Sequence, residues 1–539
     1  MTNNSGLRPN NAQPATVLEG LMQDWPLTLD RVVRRMESTA ASASIADLSP
    51  AGIRRRTFAE TARRIRRIGP ALQARGIQAG DRVATIGFNT LHHLELFLGV
   101  PAAGAVLHTV NPRLAEDHLE YVLTHGGSRL AFLDADLAPS LLPVLRRIPQ
   151  LESVILLESD DYEDFLSTGE PEHFVFQELE ERQAAALCYT SGTTGLPKGV
   201  LYSHRSNFLH ALGICLAEGM GISSRDTVLP VVPLFHANAW GLPHAAGLTG
   251  ADLVLPGRAT SGEAVARLIE SEKVTFTAGV PTVLASLLEY ADQNPGVLDS
   301  LRTAVTGGAP MTVSLLDGYA RHGVNLLQGW GMTETSPNVT LSRPPRNAQS
   351  GDEANSYLMT AGRLNPLVDA RLVGKSGEDL PWDGKAAGEI QLQSPHAAKG
   401  YYKDSEASAE KVDNGWLRTG DLATIDPDGY VRLRDRLKDL IKSGGEWIPT
   451  AELEQHILSS PAVSDVAVVA RPDERWGERP VAFIVPGKDG GLDQQELTDY
   501  LRDRVPAWWI PDTFHVVDNL PLTSVGKVDK KVLREKVKA

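Results

Sequence analysis

The chain is predicted to be an α/β protein, with a large N-terminal part of stacked α/β layers, a β-rich subdomain and a small α+β unit at the C-terminus. Three observations carry this. Between residues 57 and 327 short apolar runs that read as strands alternate with segments of helical period, the order that gives mostly parallel sheets covered by helices. From about residue 362 the texture changes to short strands separated by Gly, Pro and Asp turns. The stretch 451–539 then carries its own order of helix, strand, strand, helix, strand and helix. A chain of 539 residues exceeds what one hydrophobic core usually holds, so more than one domain is required.

The first fourteen residues are polar and expected to lack order, and a first helix is predicted around 28–39. Apolar residues at helical spacing follow over 57–75, then a strand at 82–87, a helix at 91–104 and a strand at 105–110. Strands at 130–133 and 153–157 continue the alternation, and an acidic connection over 158–183 leads to an apolar strand at 184–189. Ser203 is placed to cap a helix reaching residue 217. Strands are predicted at 227–234, 253–255, 274–277, 301–306 and 324–327, with a helix at 264–272. Several of these strands end in glycine-bearing loops, and in open α/β sheets ligands collect outside the carboxyl ends of strands. The β-rich subdomain is placed at about 362–433, with strands at 388–392 and 430–433.

The composition narrows the class. Lys and Arg number 53 against 67 Asp and Glu, a net charge of −14, which argues against general nucleic-acid binding and against docking on an anionic membrane. Two cysteines, Cys188 and Cys215, make no disulfide framework and lack metal-site spacing. The N-terminus lacks the charged head and apolar stretch of a signal peptide, and no run approaches the roughly 18 apolar residues of a membrane span. A cytoplasmic enzyme without membrane insertion is expected.

The chemistry begins at residues 189–199, YTSGTTGLPKG. Hydroxyl residues and glycines straight after an apolar strand make an anion nest: glycines let backbone N–H groups approach phosphate, and hydroxyls add donors and a possible metal ligand. Lys198 follows a proline, so this is not the nucleotide P-loop, which closes on Gly-Lys-Ser/Thr. Next comes QGWGMTET at 328–335, where Trp330 has a flat face that could cover a purine and Thr333 and Glu334 supply a hydroxyl and a carboxylate. Then follow RTGD at 418–421, DRLKDLIK at 435–442, SGGEWI at 443–448 and PLTSVGKVDK at 521–530. Two largely apolar stretches, VVPLFHANAWGLP at 231–243 and TAGVPTV at 277–283, follow or end strands and offer walls for an apolar substrate.

In this order the motifs resemble the signatures of the adenylate-forming superfamily, and VPLFHANAWGLP and DRLKDLIKSGGEWI most resemble its fatty-acyl-CoA ligase and methylthiopropionate-CoA ligase branch. The resemblance covers essentially the whole chain. It implies an ATP-dependent acid–CoA ligase that makes an acyl-AMP, releases pyrophosphate and then forms the thioester with coenzyme A. The acid implied is a medium-chain fatty acid or methylthiopropionate; long-chain acids, or loading of a carrier protein, are the alternatives. No carrier segment with an attachment serine is visible after Lys530, and the amino-acid-activating domains carry an aspartate where this chain has His236.

The resemblance also assigns residues. Thr190, Ser191, Gly192, Thr193, Thr194, Gly195 and Lys198 would hold phosphates. Gly308, Ala309 and Pro310 with Gln328, Gly329, Trp330, Gly331 and Met332 would enclose adenine; Thr333 would touch phosphate, and Glu334 with Thr190 would bind Mg²⁺. Asp421 and Arg436 would take the ribose, with Lys442 and Trp447 near the nucleotide. Lys438 would be the hinge of a segment 436–440 joining an N-terminal domain 1–435 to a mobile C-terminal domain 441–539. Lys527 would bridge the carboxylate and the α-phosphate during adenylation. His236 would divide acyl from CoA channels, Trp240 would gate the acyl tunnel beside Val280, and Gly444 and Gly445 would close on the pantetheine arm. Relatives in this branch are commonly homodimers.

Overall fold

A helix with apolar residues on nearly every side has to be enclosed, and Leu91–Ala102 is: each of its residues, His92, His93 and Glu95 included, is buried. It packs on helices Asp30–Glu37 and Phe58–Ala74 and on strand Val106–Val110. Helix Phe58–Ala74 starts at a capping box between Thr57 and Glu60 and turns Phe58, Ala62, Ile65 and Leu72 inward. Glu95, fully buried within Leu91–Ala102, is neutralised by Arg56 and Arg64, each at 2.6 Å, and accepts a hydrogen bond from the Tyr162 hydroxyl at 2.9 Å. A buried carboxylate survives only with such partners.

The computed structural model describes residues 20–49, 51–169, 174, 176–190, 196–348, 351–487, 493–523 and 528–538. The expected disorder of the first fourteen residues, the loop residues Ser191, Gly192, Thr193, Thr194 and Gly195, and Lys527 fall outside them.

Among the described residues the strands form three sheets. A six-stranded sheet runs Ser153–Leu157, Ser128–Asp134, Arg82–Ile86, Val106–Val110, Ala184–Tyr189, Gly199–Ser203; all pairs are parallel except the last. A fifteen-stranded sheet has one parallel half, through Asn325–Gly331, Thr303–Gly307, Phe276–Gly279, Thr227–Pro230, Asp252–Leu255 and Ser44–Ser49. Its other half is antiparallel: Gly362–Leu364 joins Asn338–Leu341 to Tyr430–Arg436, so the strands of the β-rich stretch continue the same sheet. The five-stranded third sheet lies within 441–516.

Several predicted boundaries move. The strand expected over 227–234 stops at Pro230, because Val231 and Val232 both donate to the Ala278 carbonyl as the chain turns toward Pro233. The strand expected at 324–327 runs on to Gly331, since Asn338–Leu341 pairs with its far half. The hairpin Ser44–Ser49 and Gly52–Thr57 was not anticipated: three consecutive arginines hide a strand pattern on an edge. Among the described residues, no helix is long and apolar enough to cross a membrane.

Candidate nucleotide and acyl site

The glycine-threonine loop is closed at its base by strands Ala184–Tyr189 and Gly199–Ser203, where Tyr189 stands opposite Gly199. Thr190 N donates to the Lys198 carbonyl at 2.9 Å, and Lys198 N donates to Thr190 Oγ1 at 3.1 Å. The second signature arrives on the parallel pair Thr303–Gly307 and Asn325–Gly331, whose register sets Gly307 beside Gly329. The Gly308 to Pro310 turn, which is exposed, and the Gln328 to Trp330 segment therefore sit at the same end of two adjacent strands. Gln328 fastens them together, accepting from Met311 N at 2.7 Å and donating to the Thr360 carbonyl at 3.2 Å. Gly331 must be glycine, because a Cβ there would lie 1.6 Å from the Pro337 carbonyl oxygen.

The pair that the resemblance assigns to ribose is built by a hairpin. Strand Trp416–Ile425 folds back on Tyr430–Arg436 with Asp421 opposite Arg436, and the Arg436 Nε reaches Asp421 Oδ1 at 2.7 Å. Trp330 Nε1 donates to Asp421 Oδ2 at 3.0 Å. This indole is only 8 % exposed and packs among Val339, Ala361, Val368 and Leu372, so it is held as a buttress whose N–H aims the carboxylate.

Glu334, also buried, sits in the short turn Thr333–Thr335, which Tyr202 pins by donating to the Thr333 carbonyl at 2.6 Å. Its Oε1 accepts from the Tyr401 hydroxyl and lies 3.7 Å from Lys411 Nζ. Tyr401 links the two signatures, since Lys198 Nζ stands 5.1 Å from its ring centre and Tyr402 N donates to the Gly199 carbonyl at 2.8 Å. Burial, then the Glu334 charge, push the Tyr401 hydroxyl pKa upward, so it stays a donor. Carboxylate and hydroxyl oxygens, as Glu334 and Thr190 supply, suit a hard ion such as Mg²⁺.

Tyr202, Tyr401 and Lys411 lie outside the motifs read from the sequence. The tyrosine pair at 401–402 after Gly400 was a weak signal for Tyr401; a lone lysine at the end of helix Ser405–Lys411 gave none.

On the other side, His236 and Thr190 line a small cleft of about 20 Å³ with His108, Thr109, Asn111 and Tyr189. Residues 237 to 240 then take φ of +43°, +53°, +49° and +53°, four left-handed residues without a glycine. Each such residue costs about 1–2 kcal/mol, so burial must hold the turn. Asn238 is tied by its side-chain N–H to Asn207 Oδ1 at 3.1 Å, and Trp240, 7 % exposed, lays its ring edge against Gly307. Val280 is half-buried at the start of helix Pro281–Gln293.

Beyond residue 435 the chain enters the third sheet. Asp435, buried, accepts from Thr450 N, from Thr450 Oγ1 at 3.3 Å and from Ala451 N at 3.4 Å, and so caps helix Thr450–Leu458, whose own N-cap is the proline Pro449. Lys530 joins the same corner, 2.7 Å from Glu454 and 2.8 Å from Thr450 Oγ1; burial lowers its pKa, but Glu454 and Asp435 outweigh it and the net shift is upward. Burial lowers the pKa of Lys438. Gly444 and Gly445, with φ of +60° and +92°, make the two-residue turn between Ile441–Ser443 and Glu446–Ile448. Trp447 lies between Lys442 and Lys375, whose Nζ atoms stand 5.7 and 5.4 Å from its ring. Lys442 and Trp447 thus stand together, and among the described residues no hydrogen bond or ion pair joins them to Glu334 or Asp421.

The AMP-binding enzyme family matches residues 30–402, and the C-terminal domain of AMP-binding enzymes matches 452–527. The chain belongs to this family. It is 40 % identical over 533 residues to the long-chain-fatty-acid–CoA ligase of Thermus thermophilus, covering 98 % of both chains. Identity is 37 % to the medium-chain-fatty-acid–CoA ligase of Ectopseudomonas oleovorans, over 96 % of this chain and 97 % of that one. It is 38 % to the 3-methylmercaptopropionyl-CoA ligase of Ruegeria pomeroyi, over 96 % and 98 %. Among solved structures, an anthranilate–CoA ligase in complex with anthranoyl-AMP superposes with a TM-score of 0.85 at 25 % identity, over 96 % of this chain and 99 % of that one. The o-succinylbenzoate–CoA synthetase of Bacillus subtilis, with ATP and magnesium, gives 0.79 at 28 %, over 95 % and 99 %.

Proposed function

We propose that this AMP-binding enzyme is an AMP-forming acid–CoA ligase whose acid is a medium-chain fatty acid or methylthiopropionate. The observation that carries the reading is the place of His236. It lines a small cleft together with Thr190, at the base of the anion loop, and stands four residues before Trp240, which lies against the Gly307 end of the adenine turn. A carbonyl held beside His236 would have the nucleotide on one side and an entry for a thiol on the other.

Carboxylate and polyphosphate repel, so the first half-reaction needs cations that hold both and absorb charge as the α-phosphate is attacked. We assign that work to Lys527 and Lys198. Glu334 and Thr190 would hold Mg²⁺, which neutralises phosphate charge when bound. Asp421, aimed by Arg436 and Trp330, would accept from the ribose hydroxyls. In the second half-reaction Gly444 and Gly445 would line the thiol's path. Trp476, exposed and against Gly444, with Arg475 4.7 Å from its ring, offers an aromatic face and a positive charge for the CoA nucleotide. Residues 441–539 would turn about Lys438 to present first Lys527 and then this turn. A cytoplasmic homodimer is the expected form, with exposed Leu212 and Leu216 as apolar surface for the contact.

The test is a panel of straight-chain acids and methylthiopropionate, followed by pyrophosphate release with and without CoA. Release that needs an acid, and a thioester only with CoA, is expected; release without any acid refutes the reading. Lys527→Ala should abolish acid-dependent ATP–pyrophosphate exchange and spare thioester formation from supplied acyl-AMP. Equal loss of both would remove the two-face arrangement.

A further inference from the structure

We propose that Lys411 is a positioning residue for Glu334: a built-in cation that holds this carboxylate in place and competes with the divalent ion for it. The inference rests on the assignment of Glu334 to Mg²⁺ and adds a partner that the motifs do not contain.

Lys411 ends helix Ser405–Lys411, and its side chain is only 18 % exposed. Ammonium groups are strongly hydrated, so one that leaves water must be drawn by something in the fold. Three carboxylates, those of Glu334, Asp421 and Glu389, and one guanidinium, that of Arg436, act on it. Two of the three carboxylates have an arginine of their own. Asp421 has Arg436 at 2.7 Å and the Trp330 N–H at 3.0 Å, and Glu389 has Arg418 at 3.1 Å and Gly420 N at 3.1 Å. Glu334, with a side chain 7 % exposed, has the neutral Tyr401 hydroxyl and the Lys411 ammonium at 3.7 Å. The Thr419 carbonyl, accepting from Lys411 Nζ at 3.4 Å, fixes the ammonium where it faces Glu334. That carbonyl belongs to the strand that carries Asp421, so the lysine spans from the ribose carboxylate's strand to the metal-binding turn.

Lys411 therefore occupies the side of Glu334 from which positive charge is already supplied. A divalent ion held by Glu334 would share that carboxylate with the Lys411 ammonium, 3.7 Å from its Oε1. Removing Lys411 should strengthen the metal's contribution to ATP binding. Removing an ordinary structural residue should weaken it.

The experiment uses the full chain and isothermal titration with ATP, once with Mg²⁺ and once with EDTA, and reads the ratio of the two dissociation constants as the metal's contribution. Lys411→Met is expected to raise this ratio about tenfold, the scale of a cation–cation repulsion at a partly screened site. Lys411→Arg, which keeps the charge, should stay within about twofold of the parent and guards against a folding defect in the Met variant. Glu334→Gln should collapse the ratio toward unity, and adding Lys411→Met to it should change nothing further. An unchanged or lowered ratio in Lys411→Met, with Glu334→Gln collapsing it, overturns the inference alone. A ratio that survives Glu334→Gln overturns the assignment of Glu334 itself.

Discussion

Replacing Trp330 by Phe separates two ways in which an aromatic ring can serve a nucleotide. If the indole worked as an open face for adenine, a phenyl ring would replace most of it. The geometry says that its N–H matters more, since the ring is 8 % exposed and Nε1 donates to Asp421 Oδ2 at 3.0 Å. A hydrogen bond to a charged acceptor contributes about 1.5–3 kcal/mol net. Arg436 keeps its 2.7 Å contact on the other carboxylate oxygen, so Asp421 stays paired and the loss belongs at the low end. About 1.5 kcal/mol corresponds to roughly a tenfold rise in the dissociation constant of ATP. Titration of ATP without acid, where no turnover occurs, reads this directly. The decisive arm is the same substitution in an Asp421→Ala background, because a double-mutant cycle isolates coupling between touching residues. With the carboxylate gone, Trp330→Phe should change ATP affinity by less than about twofold. A full tenfold effect in that background, or none in the parent, would refute the reasoning.

Three further expectations follow from the same geometry. Gly444→Ala places a Cβ 2.9 Å from the Trp476 ring at a φ of +60°, so the turn must shift. Thioester formation from acyl-AMP should slow at least about tenfold, as small misplacements of reacting groups do, with ATP–pyrophosphate exchange unchanged; equal slowing of both half-reactions would count against it. Trp240→Gly removes the ring that lies against Gly307 and should extend the accepted chain length in a homologous series of acids, and an unchanged profile would deny Trp240 its gate role. His108 is fully buried, with Nδ1 on Ser128 Oγ at 2.8 Å, and burial, aided by Arg82 and His125, pushes its pKa down to about 3. Between that value and the ordinary 6.5 the unfolded chain takes up a proton that the fold refuses. Stability is therefore fully present above pH 6.5 and falls as pH drops through this window, by about 1.4 kcal/mol per pH unit for one group. His108→Gln should flatten the slope of unfolding free energy against pH by about one proton, and parallel slopes would reject the assignment.

The sequence by itself determined the local grammar and the chemical class. Period and turn residues placed the helix over 57–75, within a residue at each end of Phe58–Ala74, the strand at 184–189 and the final run of six elements, because those signals act between residues a few positions apart. The order of YTSGTTGLPKG, QGWGMTET and RTGD pointed to the family and proposed candidates for nucleotide, metal and ribose contacts. Only the tertiary structure decided who aims whom. Trp330 and Asp421 are 91 residues apart, and they meet through the continuous sheet that runs from Asn325–Gly331 to Trp416–Ile425. Tyr401 and Lys411 reach Glu334 from a connection and a short helix with no motif of their own. The left-handed turn at 237–240 contains no glycine to announce it, because burial and the Asn207 contact, rather than local preference, hold it. Register and burial are properties of the assembled chain, and a pattern read along a single strand contains neither.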